Sequence, residues 1–171
     1  LIHIAREGTA LQRRRVKLFR IDAEKKTFNL IKIILTRGIG NTNFGITYDG
    51  KNIWQVYETP VGVQFIDIMN FKGNILKTID ISATISAPAG MCFDGKYIYC
   101  LDRKALGDRF FQLDTKGNII KQLAITGDTF KNDVDSITFD GKNFYLVTRY
   151  SFDHGNTNIY LMNKTGTIMK K

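Results

Sequence analysis

Four residues occupy one recurring position in this sequence: Arg6, Glu58, Arg103 and Arg149. The steps from Glu58 to Arg103 and from Arg103 to Arg149 are 45 and 46 residues. An arginine offers a planar fork of donors suited to bidentate capture of a carboxylate or phosphate. Brought to a common radius, three guanidinium groups and one carboxylate would line a mouth fit for an anionic ligand. The competing expectation is that each arginine pairs with a nearby loop acid such as Asp102, Asp133 or Asp135. An acid–base set at the same mouth could draw on Glu58, Asp102, Asp135 and His154. His154 stands beside Asp153 with no second histidine nearby, and His3 in its apolar run reads as a packing residue. No zinc spacing, phosphate-binding loop, nucleophile elbow or calcium loop occurs, so neither a metal nor a cofactor is expected.

Charge marks a second candidate surface. The net charge is +9, and residues 1–37 hold ten Lys/Arg against three Asp/Glu. Arg13, Arg14, Arg15 and Lys17 form the densest cluster. Such a cluster suits a polyanion. It lacks the interleaved aromatics or recognisable module of a nucleic-acid binder, so nucleic acid is not expected.

These positions must be held by something periodic, and the chain is periodic. Gly45-Ile-Thr-Tyr-Asp-Gly-Lys-Asn-Ile-Trp54 returns as Gly90-Met-Cys-Phe-Asp-Gly-Lys-Tyr-Ile-Tyr99 and Ser136-Ile-Thr-Phe-Asp-Gly-Lys-Asn-Phe-Tyr145. A second turn motif follows each copy, with its glycine at Gly73, Gly117 and Gly166. Asp-Gly between β-branched and aromatic runs marks a hairpin, because the turn needs the positive φ that glycine adopts freely. Asp/Asn-x-x-Gly marks a longer hairpin loop with glycine in the left-handed position. Each repeat therefore holds two hairpins and four strands, A to D. Residues 1–35 fit strands B, C and D only, which predicts fifteen strands in the order BCD-ABCD-ABCD-ABCD.

Four antiparallel strands every 45 residues or so define a β-propeller blade. Pro88-Ala-Gly-Met-Cys-Phe-Asp-Gly-Lys-Tyr-Ile-Tyr-Cys-Leu-Asp102 resembles the NHL and YVTN propeller repeats. The resemblance is good over residues 40–171 and weaker over 1–35. Two copies lack the proline, and Ser136 replaces the glycine. It implies an all-β propeller of about four blades, the first without its strand A, as one domain over 1–171 or part of a larger propeller. The expected blades are 1–38, 39–83, 84–127 and 128–171. It also implies a ligand face built from the B–C loops (7–15, 58–63, 103–109, 150–157) and the D–A loops (36–44, 80–89, 126–135). No single activity goes with the fold.

Three functions are therefore open: a non-catalytic binding or assembly module using that loop face, a lyase-, hydrolase- or cyclotransferase-type enzyme at the channel mouth, and a polyanion-binding surface at the basic loop.

Composition agrees with a globular chain: 43% hydrophobic, 24% charged and only two prolines. No apolar run approaches the length of a bilayer-spanning helix. Cys92 and Cys100 fall on one hairpin, with Cys92 expected opposite Tyr97 or Ile98 and Cys100 opposite Ala89 or Gly90. That offset argues against a disulfide and for two core thiols. The core is expected at Ile46, Tyr48, Ile53, Trp54, Val56, Met91, Phe93, Ile98, Leu101, Ile137, Phe139, Phe144 and Leu146. Strand C would add Phe65, Ile68, Phe111, Leu113, Ile159 and Leu161. The inner edge of residues 1–4 would be left unpaired. The chain is thus expected to belong to a longer polypeptide, or to pair with a protein partner or second copy through the blade-one edge. No compartment is assigned.

Overall fold

The three Asp-Gly turns are built alike in the computed structural model. The carboxylate Oδ1 of Asp94 accepts the amides of Lys96 and Tyr97 at 2.9 and 2.8 Å. Asp49 and Asp140 do the same for the residues two and three positions on. Gly50, Gly95 and Gly141 have φ of +93°, +96° and +101°. The longer loops are equally regular. Gly73, Gly117 and Gly166 have φ of +89°, +91° and +94°, and the register of each following strand pair shifts at that end, as a bulged hairpin requires. Blade one departs from the pattern: its turn after Asp22 is one residue longer, and Lys26 takes the positive φ of 52°.

The structure describes residues 2–7, 15–22, 24–35, 42–103, 109–127, 134–148 and 157–171. Among them are fifteen strands and no helix long and apolar enough to cross a membrane. β1 (Ile2–Glu7), β2 (Arg15–Asp22) and β3 (Thr27–Leu35) form a three-stranded antiparallel sheet. Three four-stranded sheets follow. They comprise β4 (Thr42–Tyr48) to β7 (Ile75–Asp80), β8 (Pro88–Phe93) to β11 (Ile119–Ala124), and β12 (Val134–Phe139) to β15 (Ile168–Lys170). Within them lie β5 (Ile53–Glu58), β6 (Gln64–Met69), β9 (Ile98–Asp102), β10 (Arg109–Leu113), β13 (Phe144–Thr148) and β14 (Ile159–Met162). Strands β4, β8 and β12 begin inside the segments expected to be D–A loops, at Thr42, Pro88 and Val134.

The sheets stack face to face as blades, and the core lies between them. Trp54, Val56, Ile66 and Ile68 of blade two meet Met91, Ile98, Cys100, Phe111 and Leu113 of blade three. Tyr99, Leu101 and Phe110 on the other face of blade three meet Phe144, Leu146, Tyr160 and Met162 of blade four. Blade three is therefore covered on both faces, and all five residues of β9 are buried. Strict alternation does not survive there, because both faces are interior.

The expected core needs correction at several places. Ile159 is 60% exposed, and Phe65 and Leu161 are only half-buried. Ile46, Tyr48, Phe93 and Phe139 are half-buried because they line an open groove along the axis. The cysteine register also differs: Cys92 stands opposite Tyr99, and Cys100 opposite Met91. Both thiols are free and buried, in cores on opposite faces of blade three.

The inner strands β4, β8 and β12 lie side by side. Gly45 sits against the backbone of Ala89 and Met91, where an added Cβ would stand 2.5 Å from the Ala89 carbonyl oxygen. Gly90 sits likewise against Ile137, where a Cβ would be 2.7 Å from its amide nitrogen. Converging strands near the axis leave no room for a side chain at Gly45 or Gly90.

Candidate functional site

Each inner strand carries an irregularity in register toward its N-terminal end: between Asn43 and Gly45, between Pro88 and Met91, and between Val134 and Ser136. A bulge re-aims the side chain at the kink. Phe44 and Asp135 occupy equivalent bulge positions in blades two and four, and both reach Arg103 of blade three. Arg103 donates from Nη1 to Asp135 Oδ1 at 2.9 Å, and its guanidinium stands 5.6 Å from the Phe44 ring centroid. Its amide donates to the Ala87 carbonyl at 2.8 Å. The side chain is 14% exposed, against 46% for Asp135. One arginine thus ties three blades together at one end of the groove.

That groove encloses about 870 Å³ along the three inner strands. Tyr48, Phe93 and Phe139 line it, as do Ile46, Met91 and Ile137. Polar groups on its walls include Thr47, Thr138 and Asp135.

The expected pairing of Arg103 is with Asp135, not with its neighbour Asp102. Asp102 is fully buried and serves the interior. It accepts from Arg109 Nη2 at 2.9 Å and Nε at 3.0 Å, and from the Ala87 amide at 2.8 Å. Arg109 continues to the Thr84 carbonyl and stacks on Phe111. This cluster pins the connection from β7 to β8 onto blade three. Glu58 accepts from Gln64 Nε2 at 2.9 Å across the β5–β6 loop. Arg6 lies in β1 opposite Val16, Arg15 in β2 opposite Leu35, and Lys17, half-buried, opposite Ala5. Arg13, Arg14, Asp133, Arg149, Asp153 and His154 lie outside the described residues.

Sequence reasoning missed Phe44 and Arg109. Phe44 had a signal: it precedes Gly45 as Asp135 precedes Ser136. Arg109 had none, because its contacts depend on how β10 lies beside β9.

Burial pushes both cysteine thiols well above their ordinary range, so they are poor nucleophiles. Among the described residues, no three His, Cys, Asp or Glu side chains are grouped to hold a metal ion.

Stacked four-stranded antiparallel blades around a shared groove define a β-propeller architecture, and the described residues form part of one. Solved structures bear out the class. A chain of the nidogen–laminin complex superposes with a TM-score of 0.64 at 14% identity, over 98% of this chain and 59% of that one. The PQQ-bound aldose sugar dehydrogenase of Streptomyces coelicolor matches at 0.53 and 9% identity, over 94% and 74%. A candidate 6-phosphogluconolactonase of Bacteroides uniformis matches at 0.51 and 16%, over 98% and 51%. No family model matches the sequence, and no curated protein does. The chain thus spans little more than half the length of the first and third of these structures.

Proposed function

We propose that the chain is a non-catalytic binding module, one propeller domain over 1–171, which recognises an anionic partner across the loop face at the Arg103 end of the groove. The observation that supports this is how the carboxylates at that end are employed. Asp102 is fully buried with both oxygens engaged, and Asp135 is held by Arg103. These contacts join strands and loops, and they commit to structure two of the acids that acid–base catalysis would draw on. Arg6 and Arg149 share the repeat position of Arg103 in the sequence.

Binding to immobilised poly-glutamate, with a neutral peptide as control, tests the proposal. The expected result is salt-sensitive binding that Arg103→Ala and Arg149→Ala each weaken. Binding that ignores both substitutions would overturn it. Loss on Arg13→Ala or Arg14→Ala alone would move recognition to the basic loop.

A further inference from the structure

The two ends of the blades carry different charge. In each four-stranded sheet the A–B and C–D hairpin turns lie at one end, and the B–C and D–A connections at the other. Each of the six turns in blades two to four bears one lysine. Lys51, Lys96 and Lys142 follow the Asp-Gly pairs, and Lys72, Lys116 and Lys164 sit in the longer turns. All six are exposed. At the opposite end, the described charged side chains of these blades are Glu58, Asp80, Asp102 and Asp135 against Arg103 and Arg109, an excess of acid. Contacts between blades bring the turns to one face. Lys164 of blade four stands 3.4 Å from Asp94 in a turn of blade three. Lys77 of blade two donates from Nζ to the Lys116 carbonyl in another turn of blade three at 2.6 Å.

The turns also hold four acids, Asp49, Asp94, Asp114 and Asp140, but each is folded back on its own turn. Each carboxylate accepts two amides of that turn. Asp49 also accepts from Trp54 Nε1 at 2.7 Å. Lys51, Lys72, Lys116 and Lys142 make no ion pair among the described residues, so their charge faces solvent. Three features select among anions. The turns repeat at equal length in each blade, so the lysines form a level array with no loop rising above it. Lysine is a hydrated point charge without the rigid fork by which arginine grips one carboxylate or phosphate, and so suits headgroups that shift laterally. No exposed aromatic ring lies in these turns to stack a nucleic-acid base, because Phe71 and Tyr97 are half-buried.

We infer that the turn face docks on an anionic phospholipid surface, with the loop face directed away from it. The attraction accumulates over the lysines and acts within a Debye length of the bilayer. It does not depend on what the loop face binds.

Flotation of the 171-residue chain with lipid vesicles tests it. One set of vesicles mixes phosphatidylserine into phosphatidylcholine, and the other is phosphatidylcholine alone. Binding is expected only with phosphatidylserine, and it should fall as salt rises. A variant combining Lys51→Gln, Lys72→Gln, Lys116→Gln and Lys142→Gln is expected to bind at least about tenfold more weakly. Its melting temperature should match the wild type, because none of the four side chains holds a partner. Arg103→Ala, at the other end of the blades, is expected to bind vesicles as the wild type does. Equal binding to both kinds of vesicle, or binding to neither, would overturn the inference. So would binding indifferent to the four lysine substitutions, or lost on Arg103→Ala. An equally tight complex with double-stranded DNA would also overturn it, by making the face a general polyanion site.

Discussion

Arg103 of the third blade and Asp135 of the fourth form an ion pair of 2.9 Å that spans two sheets. Asp135 reaches it because β12 is kinked between Val134 and Ser136. Phe44, at the matching kink of blade two, stands beside the same guanidinium. The rim of the groove is thus built by three blades converging on one side chain.

A double-mutant cycle of Arg103→Ala and Asp135→Ala should show positive coupling. Its size should be about 0.2–1 kcal/mol, because Asp135 is substantially exposed and solvent screens the pair. Thermal or denaturant unfolding of the four proteins measures it, and zero coupling would remove the pair from the forces that hold blades three and four together.

The glycines separate into two physical kinds. Gly90→Ala should cost about 1–3 kcal/mol, because the new methyl group meets the Ile137 backbone. Ser136→Ala should stay within about 0.5 kcal/mol of wild type. At Gly95 nothing lies within 4 Å of an added Cβ, and only its φ of +96° resists substitution. Gly95→Val should therefore cost about 1–2 kcal/mol from backbone strain alone. Urea unfolding of the three variants checks the distinction.

Acid should weaken the turns. Burial raises the pKa of Asp94, but the amides of Tyr97 and Lys96, the Tyr99 hydroxyl and the Lys164 charge outweigh it, and the group is lowered on balance. The Asn143 and Lys142 amides lower Asp140, and the Asn118 amide lowers Asp114. With folded values depressed, the unfolded chain takes up protons first as pH falls. The stabilisation is present above the ordinary carboxylate pKa of about 4 and is lost as pH drops through the folded values. Melting temperature should fall below about pH 4, less steeply in Asp94→Asn.

Cys92 and Cys100 should resist modification in the folded protein. Both are buried, with thiol pKa values raised by that burial. A chromogenic disulfide reagent should detect two thiols in denaturant and almost none beforehand. Rapid labelling of the native chain would contradict their placement.

The strand order and turns were legible in the sequence because they depend on local chemistry. Asp-Gly forces a hairpin wherever it falls between β-forming runs, and a period of 45 residues has few structural solutions. The six turn glycines all adopt the positive φ expected of them. Residue-level burial was not legible. The rule that every second strand residue faces inward holds for a sheet with one wet face, as in β13, and fails for β9, where both faces are covered. Which faces are covered depends on the stacking of sheets, and no local pattern encodes it. The recurring position of Arg103 came from spacing alone, and its partners came from bulges at Phe44 and Asp135. Those kinks arise where three converging strands crowd the axis. The repeat determined that there would be blades, and their packing decided which side chains meet between them.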